Sequence, residues 1–157
     1  MANGAVDAIV QALAEVLGTI TVANGYHTDL GANVQTEIRG VEVPAEPQAT
    51  VWAASKQRTQ SGQARPDTGR GVEGYIEFAV PARYDDAMAR VYAADEDLDR
   101  CLSQMHLMPN ALPVQYEDAV FMNRPEGLAV AMVQVRWTTG FRRQDATPSV
   151  PRPGDYP

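Results

Sequence analysis

The 157-residue sequence predicts an α+β fold: an antiparallel or mixed sheet with two helices packed on one face, a long flexible hairpin loop and an extended C-terminal tail. Three observations predict it. Two segments, Val6 to Ile20 and Tyr84 to Met105, carry apolar residues at three- and four-residue steps, the period of a one-sided helix. Val72 to Val80 alternates apolar and polar residues, the period of a strand with one wet face. The two helical segments are separated by runs of strands, giving the order α-β-β-β-α-β-β.

Each element has its own signals. Asn3 is placed to cap the first helix, and Asp7 lies in its first turn, where a carboxylate favours the helix dipole. Val6, Ile9, Val10, Leu13, Val16, Leu17 and Ile20 form the stripe, with Gln11 and Glu15 facing away. The β-branched run Thr19 to Val22 weakens helix propensity, and Asn24-Gly25 signals a turn. Val34, Thr36 and Ile38 alternate with Gln35, Glu37 and Arg39 as a first strand; Pro44 and Pro47 interrupt it. Ala49 to Ala54 is a second strand, with Val51 and Trp52 on opposite faces. Ser55 to Gly71 holds almost no apolar residue and four cations, Lys56, Arg58, Arg65 and Arg70. It predicts an exposed loop or long hairpin arm, since it cannot bury a core. Pro81 ends the third strand. The second helix follows, with a stripe of Tyr84, Ala87, Met88, Val91, Leu98, Cys101, Leu102 and Met105. Val114 to Met122 and Leu128 to Thr139 read as a closing hairpin joined at Arg124-Pro125-Glu126-Gly127. The second of these strands is apolar on both faces at first, which predicts a central place in the sheet. Gly140 to Pro157 holds four prolines and no periodicity. A single α+β domain is therefore expected over 1–141, with 55–71 as an arm and 142–157 as a Pro-rich tail.

Composition bounds the partners. The formal net charge is −7. That argues against a surface that grips nucleic acid throughout, yet it suits DNA sliding past without binding. Cys101 is the single cysteine, so no disulfide framework and no cysteine-based metal site is expected. No apolar run reaches the length of a membrane span, and Met1 to Val10 lacks the pattern of a signal peptide.

Candidate chemistry is sparse. His27 and Asp29 would share a face of an extended segment and could form an acid–base or metal pair. No third ligand or nucleophile stands near them in sequence, so a structural hydrogen bond at a turn is the expected role. His106 falls at a helix end, where an imidazolium suits the dipole. Cys101 lies on an apolar stripe and reads as core. Asp85, Asp86, Asp95, Glu96, Asp97 and Asp99 load the second helix with negative charge. They lack the glycine and distal glutamate of a calcium loop and read as one acidic solvent-facing or interface surface. The cationic loop and this acidic helix suggest that the loop of one copy docks on its neighbour in a ring, since head-to-tail contacts close into cyclic oligomers.

The opening helix, followed by Ala23-Asn24-Gly25-Tyr26-His27-Thr28-Asp29-Leu30-Gly31 and a Val-bearing strand, resembles the start of the tail terminator and tail-completion proteins of tailed bacteriophages. The element order over residues 4–141 is also similar to that of the family typified by the phage lambda tail terminator. The segment from Thr147 to Pro157 has no counterpart in that pattern. The resemblance implies a virion structural protein of the tail or neck, present in the host cytoplasm during assembly. It implies a homohexameric ring that caps the tail tube protein, stops tube elongation and offers a surface to the neck or connector protein. Genome DNA would pass through the channel without specific binding. No membrane, cofactor, metal or catalytic residue is implied. Lys56, Arg58, Arg65 and Arg70 are then the residues expected at a subunit or tail-tube interface, and the acidic helix supplies the complementary or lumen-facing surface. A neck or tail-completion adaptor is the nearest alternative. A small α+β ligand-binding or enzymatic domain is the alternative from another class, and it would need a pocket built around His27, Asp29 and His106.

Overall fold

In a computed structural model, residues 4–37, 43–59, 69–103 and 113–142 are described. The first stripe forms helix α1, Ala5–Leu17, and buries Ile9, Val10, Leu13 and Leu17. Its N-cap is Gly4 rather than Asn3; Asn3 lies outside the described residues. The helix ends at Leu17, three residues before the stripe does, and Ile20 stays fully buried in the chain that leaves it. Each large aliphatic side chain buried here contributes about 1.5–3 kcal/mol.

Five strands make one mixed sheet: β1 Val34–Gln35, β2 Gln48–Arg58, β3 Gly69–Pro81, β4 Gln115–Asn123 and β5 Val130–Arg142, in the spatial order β1-β2-β3-β5-β4. The second helix, α2, spans Ala87–Leu102. The fold is thus α+β with the expected element order. β1 is shorter than its alternation suggested. Only Val34 and Gln35 pair, parallel to Ala49 and Thr50 of β2, while Ile38 and Arg39 lie outside the described residues. β2 is longer than expected: it continues through Ser55 to Arg58, paired with Glu73 to Arg70 of β3. Those four polar residues are strand because β3 offers a ladder to pair with, not because they bury anything. β5 likewise runs on past Thr139 through Gly140 and the buried Phe141 to Arg142, so Arg142 belongs to the sheet and not to the expected 142–157 tail. β5 is interior, but the central place that its apolar start suggested belongs to β3.

Register determines the faces. Val51, Ile76 and Val135 stand level on one face, with Ala49, Phe78 and Val133 in the next row. These residues join Ile9, Leu13, Val91 and Leu98 of the two helices in one buried cluster, so both helices share that face. On the other face Trp52, Tyr75, Arg136 and Asp118 stand level. That face is half-buried and polar. Arg136 bridges Glu73 at 3.2 Å and Asp118 at 2.8 Å, a partly exposed network whose attraction solvent screens.

Two close approaches depend on glycine. A Cβ on Gly31 would lie 2.5 Å from the Gly18 carbonyl oxygen and 2.6 Å from that of Leu17. The chain after the Asn24-Gly25 turn therefore lies against the end of α1. A Cβ on Gly74 would strike the Trp52 carbonyl and the Trp137 ring. Its absence lets the ring of the fully buried Trp137 approach the β3 backbone.

Candidate subunit interface

The segment from Thr21 to Gly31 is held to α2 by its polar groups. Thr21 accepts from Asn24 N–H at 3.2 Å, and Gly25 takes φ 89°, the left-handed conformation that the Asn-Gly turn signal anticipated. Asp29 Oδ1 accepts from Val22 N–H at 2.9 Å. His27 points elsewhere, with Nε2 3.6 Å from the Glu96 carboxylate in an exposed pair. His27 and Asp29 thus form no shared acid–base pair, and Asp29 plays the structural turn role expected of it. His106 lies outside the described residues.

Asp97 departs from the expectation for the acidic helix. It is 1 % exposed. Its carboxylate accepts from His27 N–H at 3.0 Å, Thr28 N–H at 2.8 Å and the Thr28 hydroxyl at 2.7 Å. A buried carboxylate is tolerated only with such partners, and here three donors meet it. Asp97 is a fastener between α2 and the Tyr26–Thr28 turn, not part of a solvent-facing or interface surface. The sequence held a signal for this: Asp97 lies three residues after Ala94 and four before Cys101, inside the buried stripe. Nearby, Arg100 donates to the Gly25 carbonyl at 2.9 Å and stacks 4.7 Å over the Tyr26 ring. Cys101 is buried in the core as expected, and burial pushes its thiol up, away from reactive thiolate.

The remaining acidic residues divide. Asp86 pairs with Arg90 one turn along α2, at 2.8 Å. Asp95 accepts from the Tyr116 hydroxyl at 2.5 Å. Burial raises the Asp95 carboxyl, against that hydrogen bond. The Tyr116 hydroxyl is itself raised by burial and by its bond to Asp95. Asp85, Glu96 and Asp99 are exposed. Asp95 and Asp99, one turn apart, therefore flank β4 near Tyr116.

The cations lie at the other side of the sheet. Lys56 and Arg58 are exposed on the outer half of β2 and have no ion-pair partner among the described residues. Arg58 stands directly across from Arg70, and Arg70 donates to the Gly69 carbonyl at 2.7 Å. Arg65 lies outside the described residues. The structure thus places Lys56, Arg58 and Arg70 on paired strand rather than on loop.

Sequence reading missed an apolar feature. Tyr92 of α2 and Phe121 of β4 meet edge to face at 5.1 Å, and with Val120 they are among the most exposed large apolar side chains described. Exposed aromatic residues on an outer strand follow no sequence period, so only the sheet order reveals them. A groove of about 350 Å³ opens at the start of α2, lined by Tyr84, Asp85, Asp86, Met88, Asn123 and Arg124. It contains neither His27 nor Asp29. Among the described residues no group of three metal-ligating side chains occurs. No protein-family model and no curated protein matches the chain.

Proposed function

We infer that the protein is a virion structural component, a tail terminator that works as a homohexameric ring. The ring caps the tail tube, ends its elongation and offers its other face to the neck. Genome DNA passes through the channel, and the chain performs no chemical step. One observation carries this reading beside the resemblance of the Ala23–Gly31 segment. The cations Lys56 and Arg58, without an ion-pair partner among the described residues, lie on β2, and the exposed or half-exposed acids Asp95 and Asp99 lie beside β4, across the sheet from them. Opposite charges on opposite flanks of one subunit suit a head-to-tail contact, and such contacts close into rings. A self-complementary two-fold dimer would instead place the same patch against itself.

Tail length and attachment test the reading. In virus particles made without this chain, tails of uncontrolled length are expected. Tails of normal length that fail to join heads would overturn the terminator role and assign a neck or tail-completion adaptor. Normal virions would remove both. The enzymatic or ligand-binding alternative gains no support from the described groove, because neither His27 nor Asp29 lines it: Asp29 is held in the turn and His27 lies beside Glu96.

A further inference from the structure

We propose that copies of this chain join by strand addition: the free edge of β2 in one copy hydrogen-bonds, antiparallel, to the free edge of β4 in the next. The sheet then runs on from subunit to subunit. This rests on the ring reading above and names the contact that builds it.

Among the described residues the sheet order leaves two edges without a partner strand. β1 covers β2 only at Ala49 and Thr50, so from Val51 to Arg58 no described residue pairs with its outer side. β4 pairs with β5 alone along its whole length. Such edges present rows of unpaired N–H and C=O groups, a template for a further strand. Polarity permits the junction. Each of the pairs β2–β3, β3–β5 and β5–β4 is antiparallel, so β4 runs opposite to β2. A neighbour's β2 laid beside β4 therefore continues the antiparallel pattern with the same face toward the helices.

Height restricts the register. Ser55 is level with Glu73, Glu73 with Thr138, and Thr138 with Gln115. The exposed stretch of β2 and the start of β4 thus lie at the same end of the sheet. Each edge carries one bulge, at Ala53/Ser55 and at Tyr116/Asp118. The two bulges are level, because Gly74 pairs with both Ala53 and Trp137, and Trp137 pairs with Tyr116. At that level Val120 and Phe121 would meet Thr50 and Ala49, where the neighbour's own β1 already pairs, so the neighbour's β2 slides along β4 until its Val51 reaches the Asn123 end. Charge complements this register. Lys56 is level with Val72 on the helix-bearing face, and Arg58 lies two residues further along. On that same face and at that same end, Asp95 meets Tyr116 of β4, with Asp99 one turn on. The neighbour would also cover part of the apolar surface of Val120, Phe121 and Tyr92.

Hydrogen exchange on the purified full chain tests the junction, comparing the ring with monomer obtained by dilution. Amides in 51–58 and in 115–119 are expected to exchange at least about tenfold more slowly in the ring, with those of α1 unchanged. The double variant Lys56→Glu with Arg58→Glu, folded by circular dichroism, is expected to stay monomeric and to lose that protection. Rings whose two edge strands exchange as fast as in the monomer would overturn strand addition and leave the ring reading standing. Protection of β4 without β2 would overturn it too, in favour of a β4–β4 dimer. A chain monomeric at every concentration would remove both readings.

Discussion

Asp97 shows how far a single residue decides the local structure. Its carboxylate meets two backbone N–H groups and a hydroxyl from a turn about 70 positions earlier in the chain. Asp97→Asn would set an amide nitrogen against one or more of those donors and leave buried groups unpaired. It should cost about 3 kcal/mol, read as a melting temperature about 10 °C lower. Glu77 offers a test of opposite sign. It faces the polar side of the sheet, and burial raises its carboxyl, partly offset by the hydrogen bond from Gln134. A carboxyl raised by folding binds its proton more tightly when folded, so its contribution is fullest below the unfolded pKa and falls as pH rises through the folded one. Glu77→Gln should therefore melt at a higher temperature than the parent at pH 7. The gain, below about 1 kcal/mol after solvent screening, should vanish near pH 3. Melts at the two pH values check it.

At the scale of elements, the joint between α1 and the Thr21–Gly31 segment depends on one glycine. The carbonyls of Leu17 and Gly18 occupy the space a Cβ on Gly31 would need, and backbone atoms do not yield as a flexible side chain does. Gly31→Ala should destabilise by about 2–3 kcal/mol, whereas Gly4→Ala, which meets nothing within 4 Å, should be near neutral. Denaturant midpoints of the pair separate the effect of space from that of composition. The helices and β3 were legible in the sequence because a stripe or an alternation is a local consequence of burying one face. Strand ends were less so. β2 runs four residues beyond its last apolar-rich stretch, and β1 is reduced to a two-residue pair, since the length of a strand depends on the neighbour available to pair with it.

At the scale of the whole molecule, the arrangement of charge is the testable feature. Lys56→Glu alone and Asp99→Lys alone should each weaken assembly about tenfold or more, by placing like charges across a junction. The two together should recover most of the loss. Sedimentation of the three variants reads this directly, and independent losses that merely add would place the two residues in separate contacts. The cations of the proposed interface could be read from the sequence as exposed, since Lys and Arg in a polar run have nowhere to be buried. Its acidic half could not: six acidic residues in and just before one helix look alike, and packing alone separates buried Asp97, paired Asp86 and the outward Asp99.

By itself the sequence determined the α+β class, the element order, the two buried stripes, the turn at Asn24-Gly25 and the core place of Cys101. All of these follow from short-range periodicity and local backbone preference. Only the tertiary structure decided which strands are edges, that the cationic run is a paired ribbon, that Asp97 faces inward, and that cation and acid lie on opposite flanks at one end of the sheet. Those depend on strand order and register, which are set by contacts between residues distant in the chain and leave no local period to read.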